Sequence, residues 1–393
     1  MNELSKWEQI KLIISILLGI GITVLSFFAF IGIIFYTQRE ILWVLLLIFY
    51  ISSIRFLILW NRKASRKKYT LLGLSLICVV IAVIVVEYSS YVLNTPSLRE
   101  TEVNVYTYQP FSNRHILAEL DEESNFIIIN NQPVLDGATA LYPVYAAFVN
   151  AVYPRNKYDP KDSIVLCSKT IDAYKNLFEG KADIIFCAGP SKEQMEQFIK
   201  SGTTVKLIPI GKEAFVFFVN KENPVSNLTK EDIQNIYSGK LKNWKHFGGI
   251  NRHIKTYQRP EGSGSQTALI QIMDGLPMIK PHREDVPSGM GGIINEVASY
   301  RNFNTAIGYS FLHFSTKMVQ NDQIKLLSIN AIYPSKETIQ NDTYPFSDTF
   351  YAIYLENDDN NEHIKPFIEW MLSEQGQKLI EKTGYIPIVN AIQ

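Results

Sequence analysis

Cysteine is scarce in this chain, three in 393 residues. No pair forms a C-x-x-C, and no Cys/His spacing matches a metal-ligand pattern, so neither a disulfide scaffold nor a metal centre is expected. The six histidines (115, 246, 253, 282, 313 and 363) stand in no catalytic spacing. There is no P-loop lysine and no H-E-x-x-H. Glu261-Gly-Ser263-Gly-Ser265 departs from the G-x-S-x-G nucleophile elbow because glutamate holds its first position. The carboxylates are scattered, and no pair falls into one cleft. An enzyme and a cofactor are therefore not expected. Net charge is lacking too: 38 basic residues balance 38 acidic ones. Residues 94–393 carry a small acidic surplus and no basic run, so nucleic acid is not expected as a partner. Internal repeats and low-complexity tracts are absent.

What is present divides unevenly. Residues 1–93 hold only nine of the 38 basic and four of the 38 acidic residues, and contain three long apolar runs: 10–36, 41–60 and 69–86. Each is about the length that crosses a bilayer, roughly 20 residues. Residues 61–68 between the second and third carry five cations. The positive-inside rule puts that link, and the N-terminus, in the cytoplasm. Everything from about residue 94 is then extracellular, on a multi-pass plasma-membrane protein. Trp7, Trp43, Trp60, Tyr69 and Tyr88 lie near the expected interfaces. Arg55 within the second run either snorkels or pairs with another helix. Three successive runs with no small-residue cleavage pattern argue against a removable signal peptide.

Residues 94–125 are mixed and read as a linker and lead-in. From 126 onward the pattern alternates. Strands are expected at 126–130, 163–167, 182–187, 205–210, 214–220, 306–311, 325–328 and 350–355. Helices are expected at 140–153, 171–178, 192–200, 229–237, 293–300 and 364–383. Such alternation argues for α/β architecture with parallel strands. Cys167 and Cys187 each close a strand, which leaves two buried thiols or, in an oxidising compartment, a disulfide.

One stretch stands out. A strand-like run ends at Gln258, turns through Arg259-Pro-Glu-Gly262-Ser263-Gly264-Ser265, and enters a helix on which Leu269, Ile270 and Met273 recur at helical spacing. Small residues at such a turn leave backbone N–H groups free where the helix dipole favours an anion. Ser263 and Ser265 add hydroxyls, and Arg259 a guanidinium fork suited to an oxyanion. The same residues also suit a plain helix cap.

These residues, with others in order along the chain, resemble the phosphate-binding type of substrate-binding protein that serves ABC importers. The landmarks are Asp136-Gly-Ala-Thr139-Ala-Leu-Tyr-Pro143, Gly180-Lys-Ala-Asp183-Ile, Asn223-Pro224-Val, Asn243-Trp244, the Arg259–Thr267 loop, Ile307-Gly308-Tyr309, Ser373-Glu-Gln-Gly376-Gln and Gly384-Tyr-Ile-Pro387. The resemblance covers about 130–390. It implies a two-lobed periplasmic-binding-protein-like (type II) α/β domain over 126–393, preceded by three transmembrane α-helices in 1–93. One lobe would take 126–215 and 312–393, the other 220–305. The implied ligand is phosphate or a related oxyanion, held by Thr139, the Ala140 backbone, Thr170, Arg259, Ser263, Gly264 and Ser265. The implied partners are ABC permease subunits and the lipid bilayer. Two departures bear on this. The Ser168-Lys-Thr170 loop lacks the family's glycines, and Ala188 stands where a carboxylate acceptor is often found. Asp136 and Glu261 are the candidate substitutes, with Asp136 the candidate proton acceptor, although each reads more readily as structural or solvated.

Overall fold

The computed structural model of the chain describes residues 103–113, 116–282, 285–299, 302, 304–356 and 361–388, and within the first hundred only residues 7, 9, 10, 13, 14, 17, 18, 20, 21, 48–55 and 58. The three apolar runs, the cationic link 61–68 and Cys78 therefore lie largely outside the described residues. Among the described residues no helix is long and apolar enough to cross a membrane. The chain divides into two compact units, Met1–Pro96 and Ser97–Gln393, and the second carries the fold.

That unit begins with a short 3-10 helix, Val105–Tyr108. Next come β1 (Leu135–Gly137), α1 (Tyr142–Val152), α2 (Lys169–Phe178), β2 (Ile184–Cys187), α3 (Lys192–Ser201) and β3 (Val205–Asn220). There follow β4 (Asn227–Leu228), α4 (Lys230–Tyr237), β5 (Lys255–Thr256), α5 (Gly264–Met273), α6 (Met290–Ala298) and β6 (Ala306–Phe311). The chain closes with β7 (Ile324–Leu326), β8 (Ser328–Ile329), α7 (Lys336–Gln340), β9 (Ser347–Leu355), α8 (Ile364–Leu372), α9 (Glu374–Lys382) and β10 (Ile386–Pro387). Local chemistry sets several boundaries. Reciprocal capping boxes open α3 (Ser191 with Gln194) and α4 (Thr229 with Asp232), and Gly202 ends α3 in the left-handed region.

The main sheet runs β1-β2-β9-β3-β6-β5. Only its outer pairs, β1 with β2 and β5 with β6, are parallel; β9 and β3 run antiparallel to their neighbours. The expected parallel architecture is thus corrected to a mixed sheet. The reason is directional: β3 carries the chain out of the first lobe and β9 brings it back. β3 is also one continuous strand of 16 residues where two were expected. Its break signal, Pro209-Ile-Gly211, is absorbed as a register shift against β9. Residues 126–130 form no strand, and residues 163–167 make only an isolated bridge from Val165 to Leu135. The helix expected over 364–383 breaks at Ser373, whose extended backbone ends α8 and starts α9.

Three apolar cores follow from this course. One packs around Ala214–Val219 of β3, takes in Tyr344 and Phe346, and is joined by Ala140 and Ile386. The other two flank the first half of the sheet, one around α1 and α8, the other around α2 and Phe198 of α3. Phe314, Leu327, Ile329, Ile339, Tyr344 and Phe346 thus pack in the core around β3, and Phe350 and Ala352 of β9 pack in the core around α1. The lead-in is no mere linker, because Val105, Tyr108, Phe111 and Leu117 pack on the α1 core. Cys167 and Cys187 are free thiols. β1 lies between their strands, pairing with Val165 on one side and β2 on the other, so their segments are not sheet neighbours.

Candidate functional site

A cavity of about 410 Å³ lies among residues of both lobes, and four helix starts border it. From β1 the chain turns at Ala138, whose N–H donates to Phe186 O (2.9 Å), into the 3-10 turn Thr139–Leu141 that precedes α1. α2 presents Lys169 and Thr170, α5 presents Ser263, Gly264 and Ser265, and α6 presents Gly289–Gly292. The first turns of a helix hold N–H groups with no partner inside the helix, and the aligned peptide dipoles make that end positive. Several such ends around one hollow form a field for an anion.

Side chains sharpen it. Arg259 lies in the cavity wall, nine-tenths buried. Its backbone is fixed by Gln266, whose Oε1 accepts from the Arg259 N–H (2.8 Å) and from the Tyr309 hydroxyl. Ser263 is the N-cap residue of α5 but does not cap the helix with its side chain. The hydroxyls of Ser263 and Ser265 are buried with no hydrogen-bond partner in the protein. Buried hydroxyls of this kind are costly unless something fills the space beside them. Gly262, with φ +78°, makes the turn that aims them. The two lobes approach closely here: a Cβ on Gly264 would stand 3.3 Å from Thr170 Oγ1 and 3.7 Å from Ala188 Cβ.

Thr139, Ala140, Thr170, Arg259, Ser263, Gly264 and Ser265 all line this one cavity. Asp136 does not. It is wholly buried, with Oδ1 accepting from the N–H groups of Gly137 (2.7 Å) and Ser168 (2.8 Å) and Oδ2 from Asn176 Nδ2 (2.7 Å). Its carboxyl ties β1 to the start of α2, a positioning task rather than the acceptor role expected of it, and burial pushes its pKa up. Glu261 is not in the cavity wall either.

Other lining groups escaped the sequence reading. Lys161 and Lys169 bring positive charge to the rim, Lys169 with its backbone in the left-handed region at φ +71°. The glycine run 289–292 before α6 repeats the small-residue, helix-start signal of the α5 loop and was legible on the same grounds. Cys167 lies against Thr139, its thiol pushed up to about 12 by burial and so neutral. Glu213 of β3 and Asp348 of β9 add carboxyls to the wall.

Glu213 has a measurable consequence. Burial pushes its carboxyl up to about 8 from an ordinary 4.5, while burial pushes His313 down to about 4 from 6.5. A raised acid contributes stability that is complete below pH 4.5 and is lost as pH rises through 8. A depressed histidine contributes stability present above pH 6.5 and lost as pH falls through 4. Between about pH 4.5 and 6.5 the two slopes oppose each other. Above 6.5 Glu213 acts alone, and ligand-free protein is expected to lose about 2 kcal/mol by pH 8. Urea midpoints measured at pH 6.5 and 8 check this, and Glu213→Gln should flatten the difference.

A mixed α/β unit with a cavity bordered by helix starts fits a ligand-binding protein of the periplasmic-binding type. The chain belongs to that class: residues 131–375 match the PBP superfamily domain. Within it, the chain is 28% identical over 203 residues to the phosphate-binding protein PstS of Borreliella burgdorferi, across 50% of this chain and 69% of that protein. It is 27% identical over 174 residues to the phosphate-binding protein PstS of Bacillus subtilis, across 44% of this chain and only 54% of that protein. Among solved structures it is similar to a Clostridium perfringens protein with bound phosphate, described as a phosphate ABC transporter substrate-binding protein. That match has a TM-score of 0.52 and 25% identity, covering 65% of this chain and 98% of the other.

Proposed function

We propose that this protein captures phosphate, or a closely related tetrahedral oxyanion, in the cavity between its lobes and delivers it to an ABC-type permease. The observation that carries the reading is the conjunction of Arg259 with the two buried, unpartnered hydroxyls of Ser263 and Ser265 at one helix start. A water-poor site lined with fixed N–H and O–H donors suits a small anion without any metal. Thr139, the Ala140 backbone and Thr170 from the first lobe complete the donor set, and closure of the lobes desolvates the ion. The similarity to proteins named as phosphate-binding points the same way. The role is binding, not catalysis.

The three apolar runs of residues 1–93 anchor the protein in the plasma membrane, with the binding unit outside. In support, the described residues Ile10, Ile13, Leu17 and Ile20 leave their apolar side chains exposed, as a lipid-facing surface would. A tether needs one span, so three also accommodate a second reading, in which the same fold senses phosphate and relays occupancy through its membrane segments. Isothermal titration calorimetry on the full chain in detergent, with phosphate, sulfate and arsenate, tests the core claim. Phosphate should bind, and absence of heat with every oxyanion would refute the site.

A further inference from the structure

The donors of α5 leave part of the cavity without an occupant. A phosphate ion has the bulk of about three water molecules, roughly 100 Å³, against about 410 Å³ of cavity. The remaining wall is unlike an anion site. Glu213 on β3 and Asp348 on β9 are directly opposed in the antiparallel register, so their side chains share one face, and both line the cavity. Glu213 is 7% exposed. Its Oε1 accepts from the N–H groups of Ala214 (3.0 Å) and His313 (3.3 Å), whereas its Oε2 is buried with no partner. Asp348 Oδ1 accepts from the Thr349 N–H (2.8 Å). Among the described residues no cation pairs with either carboxyl. His313 brings no positive charge to them: burial keeps it neutral, stacked 4.3 Å from the ring of Tyr385.

Burial disfavours the charged form of each carboxyl, and a charged carboxyl opposes an anion held in the same hollow. A ligand that brought its own cation would relieve both conflicts. Phe311, Phe314 and Phe350 supply an apolar lining for a short carbon link.

We propose that the Glu213–Asp348 pair is a second subsite, which binds an ammonium group on a ligand whose phosphoryl or phosphonyl group sits at Arg259, Ser263 and Ser265. The preferred ligand is then a short aminoalkyl phosphate or phosphonate rather than the bare ion. This inference rests on the oxyanion reading of the α5 loop and extends it to a substrate class.

The test is calorimetry on the full chain with inorganic phosphate, ethyl phosphate, O-phosphoethanolamine and 2-aminoethylphosphonate. Ethyl phosphate has the length of the amino compounds without their charge. The amino compounds should bind roughly tenfold or more tightly than ethyl phosphate. Glu213→Gln and Asp348→Asn, made separately, should each remove most of that preference without lowering affinity for inorganic phosphate, since each takes a carboxyl away from the anion. If either variant fails to fold, as its melting midpoint will show, the other carries the comparison. Equal affinity for ethyl phosphate and the amino compounds in the unmodified protein overturns the proposal, as does a preference that survives both substitutions. If inorganic phosphate binds while the preference is absent, the subsite alone is wrong. If no compound binds, the oxyanion site itself is wrong.

Discussion

Replacing Arg259 by alanine is expected to weaken phosphate binding by about 100-fold or more, the largest functional effect of any single substitution in this protein. The guanidinium is nine-tenths buried in the cavity wall, where a hydrogen bond to an ionised group is stronger than its exposed counterpart. Removing one partner of a desolvated charge pair costs about 2–5 kcal/mol, because the other charge is left uncompensated. Removal of a single hydroxyl, as in Ser263→Ala, should cost less, about tenfold, since the surrounding N–H donors remain. Lysine at 259 should recover only part of the loss, for it offers a point charge where the arginine offers a planar fork. Titration of each variant with phosphate measures the order. Arg259→Ala binding within threefold of the unmodified protein would show that the anion lies elsewhere.

The largest stability effect is expected at Gly376. At the elbow between α8 and α9, a Cβ on this residue would stand 2.4 Å from Met371 O and 2.5 Å from Trp370 O. Both are backbone atoms, so no side-chain rotation relieves the clash, and the first turn of α9 must move away from α8. That shift disturbs Leu379 and Ile380, which are fully buried in the α1 core. Gly376→Ala is expected to cost about 3 kcal/mol and to lower the melting midpoint by on the order of 5 °C. The fraction that remains folded should bind phosphate with unchanged affinity, because the elbow is not part of the cavity wall. An unaltered midpoint would mean the two helices meet less tightly than described.

Much of this was readable in the sequence where the signal is local. The α5 loop was legible because glycine and serine at a turn, followed by apolar residues at helical spacing, state both the helix and its open end. The structural and acceptor readings of Asp136 could not be separated in the sequence because its partners, Ser168 and Asn176, stand 32 and 40 residues away. Burial and distant hydrogen bonds converted an apparent ligand group into a brace. Glu213 went unremarked for a similar reason. A glutamate ahead of the run Ala214–Val219 is itself an anomaly in a buried strand, yet only the pairing with β9 shows that it faces a cavity. The continuity of β3 was hidden by Pro209 and Gly211, which break strands unless a bulge absorbs them. At Ser373 the opposite error arose: the apolar period runs on across the gap, and within residues 364–383 Ser373 and Gly376 are the marks of the bend.

Because β3 belongs to both lobes, neither lobe is a separable module. The first half of the strand, paired with β9, is central to one sheet, while its second half anchors the other core against β6 and β7. Cutting the chain near residue 214 would leave each fragment with a raw sheet edge and half a hydrophobic interior. Heat or denaturant should accordingly melt both lobes in one cooperative step, and a genetic split at that point should yield fragments that aggregate rather than two domains.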